Sequence, residues 1–167
     1  MARLLLLLSF LLLTTPAFAG ELAGTWLRSG GQADLDARDA AIATAAESFP
    51  ALLRGIVKKR IGANAIVPER YIIQDLGDRF VMQVDDGPAR ETDLAGTPIR
   101  FIPDGRTDAV LLSRQREGAG VRSTIESAGG GLQSYVERVG EGLRVTITIT
   151  SERLDTPVTY SLHYSAK

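Results

Sequence analysis

The chain contains no cysteine, which excludes disulfides, thiolate nucleophiles and cysteine metal ligands. It contains one histidine, His163, so a metal site that needs two histidines is excluded as well. A Ser-His-Asp triad would have to use His163, yet no Gly-x-Ser-x-Gly motif is present to place a nucleophile. The polar surroundings of His163 predict a solvated side chain, the alternative being a role in proton transfer or pH sensing. We therefore expect a protein that is not an enzyme.

An excess of charge of either sign is also missing, because 19 basic residues face 20 acidic ones and the formal net charge is −1. Such a balance gives no overall field that would attract nucleic acid, and we expect no nucleic-acid partner. Positive charge is concentrated in one place only, at Arg54, Lys58, Lys59 and Arg60. These cations suit the negative end of a helix dipole; alternatively, they contact an anionic membrane surface or steer an acidic ligand.

The carboxylate patterns that would indicate a metal site are incomplete. Asp34, Asp36 and Asp39 resemble part of a calcium loop but lack the Gly at its sixth position and the Glu at its twelfth. They are better explained as residues that cap a helix. Asp85-Asp86-Gly87 fits a hairpin turn. We predict no metal and no cofactor.

The apolar run from Leu4 to Leu13 covers ten residues and is too short to cross a bilayer as a helix. Arg3 before it and Ala17-Phe18-Ala19 after it complete the three parts of a secretory signal peptide. We expect a signal peptide over residues 1–19, cleavage after Ala19, and a periplasmic or secreted product that forms one domain over residues 20–167.

Helical spacing is confined to one stretch of this domain. Apolar residues recur there at three- and four-residue intervals in two groups, Ile42, Ala45, Ala46 and Phe49, then Leu52, Leu53, Ile56 and Val57. Pro50 separates the groups and Gly62 follows the second. The pattern predicts a helical pair over about residues 35–61, after a first strand that carries the single Trp.

The rest of the chain alternates strand-like segments with turns such as Gly77-Asp78 and Asp104-Gly105. The segments are 71–76, 79–84, 89–93, 98–102, 109–114, 121–127, 132–139, 143–150 and 157–165. The segment Leu143–Thr150 alternates apolar and polar residues strictly, as a strand with one buried face does. Because the connections are too short for crossover helices, we predict a mainly β protein, an antiparallel up-and-down meander of about 8–10 strands. Closure into a barrel would remove both sheet edges, and the helical pair would cap one mouth.

This arrangement resembles the calycin superfamily of lipocalins and fatty-acid-binding proteins. Gly24-Thr25-Trp26 is similar to the lipocalin Gly-x-Trp signature, while the helical pair after the first strand and the ending on a strand are more similar to fatty-acid-binding proteins. The terminal strands lack the Arg-x-Tyr pair with which fatty-acid-binding proteins hold a carboxylate. The resemblance thus implies a binding barrel without implying a fatty acid.

The leading hypothesis is an exported barrel that binds a small hydrophobic or amphipathic molecule without catalysis. The ligand-binding wall residues predicted from the alternation are Trp26, Phe80, Met82, Val145, Ile147, Tyr160 and Tyr164. The basic helix, with Arg54, Lys58, Lys59 and Arg60, would lie at the barrel mouth, and its apolar residues Leu52, Leu53, Ile56, Val57 and Ile61 would form the underside of a lid. The alternative is a structural or interaction domain of the cell envelope with a packed interior. An enzyme and an outer-membrane barrel are weaker alternatives.

Overall fold

A computed structural model of the protein describes residues 20–103 and 107–167. The predicted signal peptide and the predicted turn at Asp104-Gly105 lie outside these residues. The described chain forms ten strands with two helices inserted after the first strand, as predicted. In chain order the elements are β1 (Gly24–Arg28), α1 (Gly31–Ala46), α2 (Ala51–Gly62), β2 (Arg70–Asp75), β3 (Arg79–Val84), β4 (Arg90–Asp93), β5 (Ile99–Phe101), β6 (Val110–Glu117), β7 (Gly120–Ser127), β8 (Gly130–Val139), β9 (Gly142–Ser151) and β10 (Val158–Ala166).

All ladders are antiparallel, and the sheet order is β4-β3-β2-β1-β10-β9-β8-β7-β6-β5. The first and last strands of the chain are therefore neighbours, and the sheet curls into a nearly closed barrel. The expectation that every consecutive pair forms a hairpin is wrong at one place, because β4 and β5 stand at opposite ends of this order. Between these ends an isolated bridge joins Ala95 and Gln115, and side chains make further contacts across the gap.

Strand alternation places the core inside the barrel. In β9, Leu143, Val145 and Ile147 are buried, while Arg144 and Thr146 lie on the outer face. On that outer face Thr146 is hydrogen-bonded to Ser161 of β10. The sequence pattern thus correctly predicts the two faces of this strand.

The helices differ from the prediction in their bounds and in how the first one begins. α1 starts at Gly31, and Gly30 is its N-cap without a side-chain hydrogen bond, so the aspartates do not cap it. Asp34 instead binds β10: its Oδ2 accepts the His163 backbone N–H at 2.8 Å, and its Oδ1 lies 2.8 Å from His163 Nδ1. The His163 side chain is half exposed and paired, where the sequence predicted simple solvation. Within the described part of the chain, neither helix is long and apolar enough to span a membrane.

Candidate functional site

The two ends of the barrel interior differ in packing. At the end away from the helices, Trp26, Phe80, Val121, Val136 and Leu143 are all buried and belong to one core cluster. The Trp26 indole N–H donates to the Leu22 carbonyl at 3.0 Å, which holds the N-terminal residues across this end. The closed end is therefore packed with apolar side chains.

Toward the helices the interior is open. A chamber of about 220 Å³ lies among strands β2 to β9, with apolar residues such as Tyr71, Met82, Leu112 and Ile147 on its wall. Its polar lining consists of Arg90, Arg114, Ser123 and Ser134. The interior is thus unfilled in one half, where the alternative hypothesis requires packing.

A second, larger cavity of about 880 Å³ lies between α2 and the barrel rim. Its wall is formed by α2 residues, by the β7–β8 turn around 127–131, and by the β9–β10 connection around 151–154. The chamber and this mouth share four wall residues, Ile66, Phe101, Ile125 and Leu132. Because the same side chains line both, the mouth and the chamber adjoin at these residues.

Arg114 points into the chamber from β6, and it is only 2% exposed. Its Nε donates to Ser123 Oγ, and its Nη1 donates to the Arg90 carbonyl at 2.9 Å and, at longer distances, to the Phe80 carbonyl and Thr92 Oγ1. No carboxylate pairs with this guanidinium among residues 20–103 and 107–167. Arg114 is therefore a buried cation held by neutral acceptors.

Arg90 adds a second positive charge to the same wall. Its guanidinium stacks on the Phe101 ring, 3.8 Å from the centroid, and Phe101 also lines the mouth. Burial, and secondarily the charge of Arg90, lowers the pKa of Arg114 to about 10. Arg114 thus stays cationic at neutral pH, and two guanidinium groups face a chamber that also offers the Ser123 and Ser134 hydroxyls.

The predicted wall residues divide into two groups. Met82 and Ile147 line the chamber, whereas Trp26, Phe80 and Val145 are buried in the packed core. Tyr160 and Tyr164 do not line the chamber either; their hydroxyls donate to the carbonyls of Ile66 and Pro68, both at 2.9 Å. Burial raises the pKa of Tyr160 to about 12 and raises that of Tyr164 further. These two tyrosines anchor the segment between α2 and β2.

The predicted basic helix is α2, and it lies over the mouth. Arg54 donates to the carbonyls of Phe49 and Glu47 and so binds the turn that joins the helices, while Lys58, Lys59 and Arg60 are exposed. Of these four cations Arg60 lines the mouth. The predicted lid underside is wrong for Leu52, which is 94% exposed; Leu53, Ile56, Val57 and Ile61 do line the cavity.

The position of Arg114 in the chamber was not predicted from the sequence, although the alternation along β6 indicates it. Val110, Leu112 and Arg114 alternate along β6, so an arginine continues the row of inward-facing residues. An inward arginine in a strand whose neighbours on the same face are apolar indicates a buried charge with a specific task.

No protein-family model matches the chain, and no curated protein matches it. Solved structures do resemble it. A secretory abundant heat soluble protein from Ramazzottius varieornatus aligns with a TM-score of 0.57 at 11% identity, covering 90% of this chain and 98% of that one. A Schistosoma mansoni fatty-acid-binding protein in complex with arachidonic acid aligns with a TM-score of 0.54 at 14% identity, covering 87% and 96%. Zebrafish ileal bile-acid-binding protein complexed with cholic acid gives 0.50 at 14% identity, covering 87% and 98%. These likenesses confirm the predicted fold, an antiparallel barrel with two helices after the first strand.

Proposed function

We propose that this fatty-acid-binding-protein-like barrel binds a small amphipathic molecule with one anionic group, without transforming it. The observation that carries the proposal is Arg114, a buried guanidinium on the chamber wall that has no carboxylate partner among the described residues. Burying an unpaired charge is costly, so a site that retains one suits a ligand of opposite charge. An arginine also presents paired N–H donors that match a carboxylate or phosphate.

In this proposal one part of the ligand lies in the chamber and the other part lies in the mouth. At about 220 Å³ the chamber is below the usual range of about 300–1,000 Å³ for sites that hold a whole drug-sized molecule, whereas the mouth at about 880 Å³ is within it. The anionic group would lie beside Arg114 and Arg90, and the apolar part would extend past Phe101 into the mouth under α2. Met82 and Ile147 would contact the ligand near its head. Arachidonic acid and cholic acid, named with two of the similar structures, are both amphipathic acids.

A pair of ligands that differ only in the head group tests this proposal. Purified protein is titrated with dodecanoate and with dodecanol, each below its aggregation limit, and binding is followed by displacement of a fluorescent apolar probe. We expect dodecanoate to bind at least tenfold more tightly, since a hydrogen bond to a charged group contributes about 1.5–3 kcal/mol. Equal affinity for the two would rule out the anionic subsite, and no binding of either would rule out the ligand-binding function.

We also propose that the protein is exported, on the basis of Arg3, the apolar run and Ala17-Phe18-Ala19. The test is expression of the full chain with cell fractionation and N-terminal sequencing. An N-terminus at Gly20 in the exported fraction is the expected result. A chain that retains Met1 in the cytoplasm would contradict it.

A specific feature of α2 supports a membrane surface as a second partner. Leu52 and Lys59 lie two helical turns apart and do not line the mouth; Leu52 is 94% exposed, and Ile56 at the edge of the mouth is 65% exposed. Exposed aliphatic side chains beside cations are typical of helices that rest on anionic bilayers. We propose that α2 contacts such a surface when ligand is exchanged.

Vesicle sedimentation tests this contact with vesicles of phosphatidylcholine alone and with vesicles containing 30% phosphatidylserine. The variant Leu52→Ser should weaken binding to the anionic vesicles and keep its affinity for dodecanoate, because Leu52 does not line the mouth. Leu111→Ser, at an exposed leucine on the outer barrel wall, is the control and should bind as the wild type does. If wild-type protein does not sediment with either kind of vesicle, the proposed membrane contact is disproved.

A further inference from the structure

The closed end of the barrel is held by the first described residues. The backbone N–H of Gly20 donates to the Asp75 carbonyl at 2.9 Å, and the N–H of Ala23 donates back to the Gly20 carbonyl at 3.0 Å. Leu22 is completely buried, and Arg138 of β8 donates to the Glu21 carbonyl at 3.2 Å. The segment from Gly20 to Ala23 is thus fixed on the barrel by contacts to several strands.

Gly20 lies directly beside the Asp75 carboxyl group at the end of β2. A Cβ atom built on Gly20 would collide with the carboxyl carbon and both oxygens of Asp75. Given standard bond lengths, the Gly20 nitrogen is therefore within about 5 Å of that carboxylate. Asp75 is 0% exposed, so its charge must be compensated by neighbouring groups.

Four charged groups surround this position. Arg116 of β6 binds Asp75 with both terminal nitrogens, at 3.0 and 2.5 Å. The hydrogen bonds that Arg116 donates to Asp75, together with the more distant charge of Glu21, raise the pKa of Arg116. Arg138 contacts the same segment only through the Glu21 carbonyl. The two carboxylates and two guanidinium groups balance in number, but Arg138 does not reach Asp75, and Arg116 is the one cation bound to this carboxylate among the described residues. A second cation beside Asp75 would lower the cost of burying its charge.

We propose that removal of the leader after Ala19 creates that cation, the α-ammonium group of Gly20, which pairs with buried Asp75 and locks the closed end of the barrel only in the processed chain. While residue 19 is attached, the Gly20 nitrogen is a neutral amide that makes one hydrogen bond. After cleavage the same nitrogen keeps the bond to the Asp75 carbonyl and gains two further donors and a positive charge. A side chain at this position would force the Asp75 carboxylate to move away from residue 20.

The test compares two forms of one protein. The chain 20–167 is produced behind a removable leader that a site-specific protease cleaves immediately before Gly20. Thermal unfolding is followed for the leader-attached and the released forms at pH 6 and pH 10. The released form should melt at least 4 °C higher at pH 6. In parallel, the pKa of the Gly20 amino group is measured from the Cα chemical shift of glycine-labelled protein and should be above the usual value of about 7.7–8.0.

The sign of the pH effect follows from that shift. A group whose pKa is raised by folding stabilises the protein below its unfolded pKa, and this stabilisation is lost as the pH rises through the folded pKa. The higher melting temperature of the released form should therefore be fully present at pH 6 and absent at pH 10. Acetylation of the Gly20 amino group should give the released form the melting temperature of the leader-attached form at both pH values.

Two variants complete the design. Asp75→Asn should abolish the difference in melting temperature between the released and the leader-attached forms. If this variant does not fold, the pKa of the Gly20 amino group in the wild type still shows whether that group pairs with Asp75. Gly20→Ala should lower the melting temperature of the released form, whereas the control Gly62→Ala, which has open space at its Cβ, should not.

An amino pKa within the usual range, with equal melting temperatures at pH 6, would overturn the proposal. Because the closed end does not line the chamber, this result would leave the proposed ligand binding unaffected.

Discussion

Arg114 has two roles that compete for the same guanidinium. Its Nη1 binds carbonyls and a hydroxyl on β3 and β4, across the gap in the sheet, while its position on the chamber wall makes it available to an anion. A variant at this residue therefore alters both stability and binding. The two effects can be separated by comparing ligands that differ in charge.

We predict that Arg114→Gln reduces the preference for dodecanoate over dodecanol by about 10- to 100-fold, since a hydrogen bond to a charged group contributes about 1.5–3 kcal/mol. The ratio of the two dissociation constants is the measurement, because a general loss of stability weakens both ligands alike. Arg122→Gln, on the outer face of β7, is the control and should keep the wild-type ratio. An unchanged ratio in the Arg114 variant would assign the selectivity to another residue.

The ion pairs of this protein differ in how much they contribute to the free energy of unfolding. Asp75 is completely buried in its pair with Arg116, whereas Arg122 and Glu117 pair at the surface with 39% and 52% of their side chains exposed. Arg116→Gln leaves the buried carboxylate with less compensation and should lower the free energy of unfolding by about 2 kcal/mol. Arg122→Gln should change it by no more than the measurement error. Urea denaturation of both variants checks this difference, and equal losses would contradict it.

At the scale of elements, α1 packs on the barrel through Ile42 and Ala45, and its start is tied to β10 by one carboxylate. Asp34 is almost fully buried and accepts the backbone N–H of His163, while Ser29 and Gly30 donate to the His163 carbonyl. This junction holds the start of α1 against β10. The position of α2 over the mouth then depends on α1 and on the hydroxyl contacts of Tyr160 and Tyr164.

Asp34→Ala should loosen the start of α1, because it removes the carboxylate that binds the backbone N–H and the Nδ1 of His163. We predict amide exchange at least tenfold faster throughout α1, with β9 unchanged, since hydrogen bonds to a charged group are worth about 1.5–3 kcal/mol. Hydrogen-exchange mass spectrometry measures this. Asp36→Ala, an exposed aspartate of the same helix, is the matched control. Faster exchange over the whole barrel would instead show that Asp34 supports the entire fold.

At the scale of the molecule, the barrel is unevenly closed. β8 and β9 share a ladder of ten residue pairs, whereas β4 and β5 have four and three residues and do not pair with each other. Arg114 and the Asp75–Arg116 pair hold this weak side together with side chains. The molecule is therefore expected to open first at the gap beside the chamber.

Native-state hydrogen exchange should show this order. Amides of β4 and β5 are predicted to exchange by local opening with low protection, while those of β8 and β9 should require global unfolding. A saturating anionic ligand that binds Arg114 should slow exchange in β4 more than in β8. Uniform protection across all ten strands would contradict the idea of a weak side.

Much of the fold could be predicted from the sequence because the physics involved is local. The period-2 alternation of Leu143–Thr150 predicts its buried face, and the apolar spacing around Ile42 and Ile56 predicts two helices. The candidate site was predicted less well. Trp26, Phe80 and Tyr164 are inward-facing as the alternation requires, yet alternation cannot tell a residue that lines a cavity from one that packs in the core.

The sequence by itself determined the antiparallel meander, the inserted helical pair, and the absence of cysteine and of paired-histidine chemistry, since each follows from residue type and spacing along the chain. Only the tertiary structure decided where the barrel is packed and where it is open, that Arg114 faces the chamber without a carboxylate, and that Gly20 lies against Asp75. These features join residues 24 to 55 positions apart in the chain, such as Arg114 with Arg90 and Gly20 with Asp75. Such contacts depend on barrel closure and strand register, which no local pattern specifies.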